Sequence, residues 1–223
     1  MSDYRKLSLF LLRHGECEGG EMVRGRTDVA LSERGLCQMR QGWQHLSAPV
    51  SAFVPGRLWL ASSPARRCTA FANELVGQGP FVGELQLCHW AREMDFGLWD
   101  GLPQREVYQR WPELASAFWR DPLHHSPPQG EPLPDFCQRV RQGWQEWVMA
   151  LSNSKADGGL LVCHGGVIRA LLSHILQPDQ LPGAPWFTSF DLPYGAGVAI
   201  TVYLADECPP FYQLHWPGSL MAQ

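Results

Sequence analysis

The stretch Leu9-Phe10-Leu11-Leu12-Arg13-His14-Gly15-Glu16 decides how the rest of the chain is read. Its apolar run, short and flanked by polar residues, reads as a strand buried on both faces, as in a parallel sheet covered by helices. The run stops at an arginine and a histidine. Both then stand at the carboxyl end of the strand, where open α/β sheets place their ligand crevices. A second stretch, Leu160-Leu161-Val162-Cys163-His164-Gly165-Gly166, has the same form. Two strands each deliver a histidine followed by glycine, and the two histidines are expected to meet at one sheet edge.

Working outward, Ser32 caps a helix that carries Leu36, Met39, Trp43 and Leu46 at helical spacing. Leu58 to Ala61 is a second buried strand, and Ser63 with Pro64 opens the next helix, striped by Cys68, Phe71, Ala72 and Leu75. Arg66 and Arg67 lie in its first turn. The helix dipole disfavours a cation there unless an anion is bound, so one of the pair is expected to reach over the strand ends. Leu85 to Cys88 reads as a short third strand leading to His89-Trp90-Ala91-Arg92-Glu93.

From Met94 to about Pro132 the character changes, with prolines and glycines interleaved with Trp99, Trp111 and Trp119. Short helices over 104–110 and 112–120 make this an excursion over the sheet, the natural place for a substrate lid. A longer helix runs from about Pro134 to Leu151, and the His164 strand leads into another over 167–176. Strand-like runs at Trp186–Leu192, Val198–Leu204 and Phe211–His215 end the chain. The alternation gives one α/β domain over residues 1–223, three-layered, with a mostly parallel central sheet, helices on both faces and a helical lid excursion over about 94–132.

A net charge of −4 argues against a nucleic-acid surface, so any anion site must be a local cluster of Arg and His. Seven scattered cysteines without zinc-ribbon spacing read as free thiols in a reducing compartment. The apolar run at the N-terminus is short for a signal peptide, and no run approaches the roughly 20 residues of a membrane span. The expectation is a cytoplasmic protein with neither membrane nor nucleic acid as partner.

Arg13, His14, Arg66, Glu93 and His164 each follow a strand directly or within a few residues. Arginines supply forked donors for phosphate oxygens, and a glycine after each histidine lets backbone approach an anion. A carboxylate beside phosphate is repelled, so its use is as a protonated general acid. One histidine then attacks phosphorus, and the other, cationic, stabilises the equatorial oxygens. No carboxylate cluster offers itself to Mg²⁺, and no metal or other cofactor is called for. His124-His125 on a proline-rich loop is discounted as a metal pair, Cys163 as a nucleophile because it faces away from His164, and Glu16 as an acid in favour of a structural role.

Leu12-Arg13-His14-Gly15-Glu16 resembles the first motif of the histidine phosphatase superfamily, which includes the phosphoglycerate mutases. Gly25 to Gly35, Ser62 to Ala70, Arg92 to Gly101 and Val162 to Gly166 resemble the segments that follow it in that family. The resemblance implies the mutase-like fold, His14 as nucleophile, Glu93 as proton donor, and a phosphate pocket completed by Arg13, Arg66, His164 and Gly165. Many members carry an asparagine soon after the first motif; here that region is Cys17-Glu18-Gly19-Gly20-Glu21, leaving a backbone group, Arg24 or Thr27 to fill the place.

Asp95 to Gly101, with Trp119-Arg120-Asp121-Pro122 and Gly130-Glu131, is most similar to α-ribazole-5′-phosphate phosphatases of cobalamin nucleotide-loop assembly. That resemblance implies a small phosphorylated metabolite with an aromatic base, which a tryptophan-rich lid could stack upon. The alternatives are another phosphorylated metabolite, a phosphoglycerate mutase, or a non-catalytic phosphate-binding or interaction module.

Overall fold

The computed structural model describes residues 4–47, 57–176, 190–205 and 208–215. Strands β1 (Arg5–Arg13), β2 (Leu58–Ser62), β3 (Gln86–Leu87), β4 (Gly158–Cys163), β5 (Gly197–Leu204) and β6 (Phe211–His215) form one sheet in the order β3-β2-β4-β1-β5-β6. The first four are parallel, and β5 and β6 add an antiparallel edge. Helices α1 (Glu33–Ser47), α2 (Arg66–Leu75), α3 (Gln104–Arg110), α4 (Pro112–Arg120), α5 (Leu133–Ser152) and α6 (Gly165–Leu176) complete the α/β fold.

The period of two along β1 divides the core into two layers. Leu7, Leu9 and Leu11 pack with Phe136, Trp144 and Leu151 of α5 and Ile168 and Leu171 of α6. Phe10 and Leu12 point the other way, onto Met39 and Leu46 of α1 and Phe71 and Leu75 of α2. Because both faces are covered, Leu9–Leu12 of β1 and Leu160–Cys163 of β4 are continuous apolar runs, buried at every position.

The excursion contains both short helices at the expected positions, but Trp99 serves a different purpose from the one expected. Trp99 is fully buried and packs against Trp111 and Phe118. It is therefore the excursion's own core, continuous with the α5 layer, and not a platform for a ligand's ring. Ser32 caps α1 as expected, accepting from the Gly35 N–H at 3.0 Å. Ser63 does not cap α2, which starts two residues later without a side-chain cap. The expected run at Trp186–Leu192 lies outside the described residues as far as 189, and 190–192 form no strand. Among the described residues no helix is long and apolar enough to cross a membrane. All seven cysteines are free thiols, five of them buried.

Candidate active site

Strand register brings the two histidines together. Arg13 of β1 pairs with Cys163 of β4, so the next residues, His14 and His164, leave the same edge side by side. The His14 N–H donates to the Cys163 carbonyl at 2.9 Å, and the ring centroids are 5.2 Å apart. On the other side of β4, β2 ends at Ser62 opposite Val162, which sets Ser63 beside His164. Ser63 Oγ and His164 Nε2 share a 2.8 Å hydrogen bond.

His14 Nδ1–H donates to the Gly15 carbonyl at 2.8 Å, which fixes the tautomer and leaves the Nε2 lone pair available. Burial, with Arg67 as the leading charge and Arg13 and Arg24 behind it, outweighs that carbonyl and depresses the His14 pKa to about 3. His164, fully buried beside Arg67, His14 and Arg13, is held well below the usual histidine value. In the free protein both rings are neutral at pH 7. The expected cationic partner is thus absent until an anion arrives, because nothing negative lies close enough to offset burial and the arginines.

The arginine of α2 that reaches the site is Arg67, not Arg66. Arg66 is exposed, and its backbone N–H, not its guanidinium, holds Asp28 at 2.8 Å. Arg67 is 1% exposed and donates to the Thr27 carbonyl at 2.9 Å and the Gly25 carbonyl at 3.1 Å. Helical periodicity carries the signal: Arg67 lies four residues before Phe71 and eight before Leu75, on the buried stripe, whereas Arg66 lies four before exposed Ala70. Arg13 donates to the Leu192 carbonyl and stacks its guanidinium 4.3 Å from the Tyr194 ring centre. Its Nε is buried without a protein partner, as are the Nε atoms of Arg67 and Arg24. Each is a donor whose unmet hydrogen bond an anion would satisfy.

Glu93 arrives from the other direction. Its Oε2 accepts from the Gly166 N–H at 3.0 Å, and Oε1 from the Met94 N–H at 3.1 Å. Arg139 of α5 braces the segment, donating to the Trp90 carbonyl at 2.6 Å and pairing with Glu131 at 2.8 Å. A Cβ on Gly166 would stand 2.2 Å from Glu93 Oε1, and one on Gly165 would stand 3.0 Å from Arg169 Nη1 and 3.3 Å from Arg13 Nε. The glycines after His164 therefore make room for the carboxylate and the two guanidiniums. Gly15 has a different reason, since its Cβ would lie 2.0 Å from the Gly35 carbonyl.

A cavity of about 320 Å³ opens onto His164 and Glu93, walled by Gly25, Asp28, Ser63 and Arg92 among others. Of the candidates for the missing asparagine's place, Thr27 is engaged elsewhere: its N–H and hydroxyl both donate to Asp100. Arg24 is anchored on the Glu18 and Gly20 carbonyls with its Nε unpaired. Glu16 ties the first motif to α1, taking a 3.3 Å bond from Ser32 and facing Arg34 at 3.5 Å. Cys163 is in the core, and His124 pairs with Asp121 at 2.8 Å. Ser63 and Arg67 are the site residues that sequence reasoning did not assign.

Fold and pocket together define an α/β protein whose sheet edge gathers two histidines, arginine donors with buried Nε atoms and one carboxylate, with a cavity opening onto His164 and Glu93. The family model of the histidine phosphatase superfamily (branch 1) matches residues 9–189, and the chain belongs to that superfamily. It is 29% identical over 202 residues to a protein of Mycobacterium tuberculosis described as bifunctional, covering 89% of this chain. The chain spans about half the length of that relative, 50%. It is 30% identical over 171 residues to a 2,3-bisphosphoglycerate-dependent phosphoglycerate mutase of Mesorhizobium japonicum, covering 74% of this chain and 79% of the mutase.

Among solved structures, mycobacterial glucosyl-3-phosphoglycerate phosphatase superposes with a TM-score of 0.75 at 25% identity, over 96% of this chain and 99% of that one. The α-ribazole phosphatase from Shigella flexneri gives 0.73 over 96% and 97%, and at 23% identity this is a likeness of fold.

Proposed function

We propose that the chain is a phosphomonoesterase that works through a phosphohistidine, with α-ribazole 5′-phosphate as its substrate. The observation that carries the chemistry is the neutral His14 ring, its Nδ1–H fixed on Gly15 and its Nε2 free, 5.2 Å from the His164 ring. His14 Nε2 attacks phosphorus as the ester P–O bond breaks, and Glu93 gives its proton to the departing oxygen. Arg13 and Arg67 hold the non-bridging oxygens. The dianion raises the proton affinity of His164, which then supplies the positive charge the transferring group needs. Water next attacks phosphorus and loses its proton to Glu93, the P–N bond breaks, and phosphate leaves a neutral His14.

The substrate assignment rests on the likeness of Asp95–Gly101, Trp119–Pro122 and Gly130-Glu131 to α-ribazole-5′-phosphate phosphatases, in a reducing, cytoplasmic setting. The similarity to a phosphoglycerate mutase favours a second reading, in which an alcohol in place of water accepts the phosphoryl group. Metal-free phosphate release from α-ribazole 5′-phosphate, 3-phosphoglycerate, fructose 2,6-bisphosphate and p-nitrophenyl phosphate separates these. A strong preference for the ribazole ester, abolished in His14→Ala, is expected. Comparable slow turnover of all four would sink the substrate, and survival of activity in His14→Ala would sink the nucleophile.

A further inference from the structure

Asp100 lies in the excursion, outside the phosphate cavity, yet its carboxylate is among the most heavily bonded in the described structure. One oxygen accepts from the Gly25 N–H at 3.0 Å and the Arg26 N–H at 2.7 Å. The other accepts from the Thr27 N–H at 2.8 Å and from the Thr27 hydroxyl. Three consecutive amides are thereby turned toward one side chain. The carbonyls of the same turn face the opposite way, and those of Gly25 and Thr27 receive the two terminal nitrogens of Arg67. A Cβ at residue 25 would stand 2.6 Å from Asp100 Oδ2 and 2.1 Å from the Met94 carbonyl, so glycine is what lets the turn close on the carboxylate.

We propose that Asp100 is a positioning residue for the phosphate pocket, acting through the 25–27 turn to hold the Arg67 guanidinium against His14 and His164. The inference rests on the reading of that pocket as the phosphate site. Arg67 has no carboxylate partner among its described contacts; two backbone carbonyls alone anchor its fork. Carbonyls in a loop are only as fixed as the loop. Four bonds to a single carboxylate rigidify it, and charge-assisted bonds of this kind exceed neutral ones in strength. Val23 and Leu102 are also joined by a 2.9 Å backbone bond, and Gly101 and Val23 by one of 2.8 Å. The turn therefore stays attached when Asp100 is removed, but its carbonyls lose their fixed direction.

The test is the titration of His14 in Asp100→Ala and Asp100→Asn, followed by imidazole NMR in the free protein, with orthovanadate affinity alongside. Arg67, Arg13, Arg24, His164, the Cys17 thiol 3.6 Å from His14 Nδ1 and the Tyr194 ring 5.8 Å away are the charged and titratable groups facing His14 among the described residues. Removing an anion would by direct electrostatics lower the His14 pKa further. Loss of Arg67 from its place does the opposite and raises it, by about one unit.

The sign therefore decides: an upward shift with roughly tenfold weaker vanadate binding supports positioning, and no shift or a downward one overturns it. In an Arg67→Met background the Asp100 substitutions should have no further effect on His14; an undiminished effect there would also overturn the inference. NMR titration does not depend on turnover. An inactive wild-type protein with a normal Asp100 response would refute the phosphatase reading alone.

Discussion

Replacing Gly166 with alanine should uncouple proton donation from the rest of the pocket. The new Cβ would lie 2.2 Å from Glu93 Oε1 and 3.2 Å from Oε2. Carbon–oxygen contacts settle near 3.3 Å or more, so the carboxylate must withdraw by about 1 Å. Withdrawal stretches its 3.0 Å bond from the Gly166 N–H and moves the acid from the leaving oxygen. The obstacle is the end of a flexible side chain and not backbone, so the variant should fold with nearly wild-type stability.

Misplacement on this scale costs on the order of 10²-fold in rate, about 3 kcal/mol of barrier. The loss should depend on the leaving group. An alkyl phosphate such as α-ribazole 5′-phosphate needs a proton on the departing oxygen and should lose the full factor in kcat. p-Nitrophenyl phosphate, whose phenolate leaves unprotonated, should lose only a few-fold. Glu93→Gln should reproduce the pattern, and the double variant should be no worse than either alone. Equal losses on both esters, or an unimpaired alkyl rate, would refute the assignment of Glu93 and the steric argument with it.

Two further outcomes follow from the site. Arg66→Ala should leave kcat/KM within about threefold, because that side chain is exposed, whereas Arg67→Ala should reduce it by about 10² or more and cost roughly 1–3 kcal/mol of stability as the Gly25 and Thr27 carbonyls lose their donors. Steady-state kinetics and denaturant unfolding of the two variants check this. Stability should also fall in acid: His14 and His164 refuse protons that the unfolded chain accepts, so stability rises with pH from about 3 to 6.5 and then levels. His14 contributes roughly 2–3 kcal/mol between pH 4.5 and 6.5, His164 acts in the same direction, and His164→Gln should reduce the slope of unfolding free energy against pH in that window.

The sequence by itself determined the elements and the two histidines. Continuous apolar runs in β1 and β4 are what burial on both faces demands, and helical spacing marked α1 and α2 because local periodicity is written residue by residue. The excursion's two short helices were legible for the same reason. Choosing Arg66 over Arg67 was an error of reading, since the stripe through Phe71 and Leu75 already pointed to Arg67.

Other features belong to the tertiary structure alone. That His14 stands beside His164 depends on β1 pairing with β4 in one register, a contact between segments 150 residues apart that no local pattern encodes. Ser63 looked like a cap until β2 set it next to His164. Asp100 looked like one more polar residue in a turn until the excursion laid it against residues 25–27. The neutrality of the second histidine follows from burial among arginines, which is a property of the assembled pocket. Side-chain type fixes what a group can do, whereas its partners and its charge state are set by neighbours that only folding brings within reach.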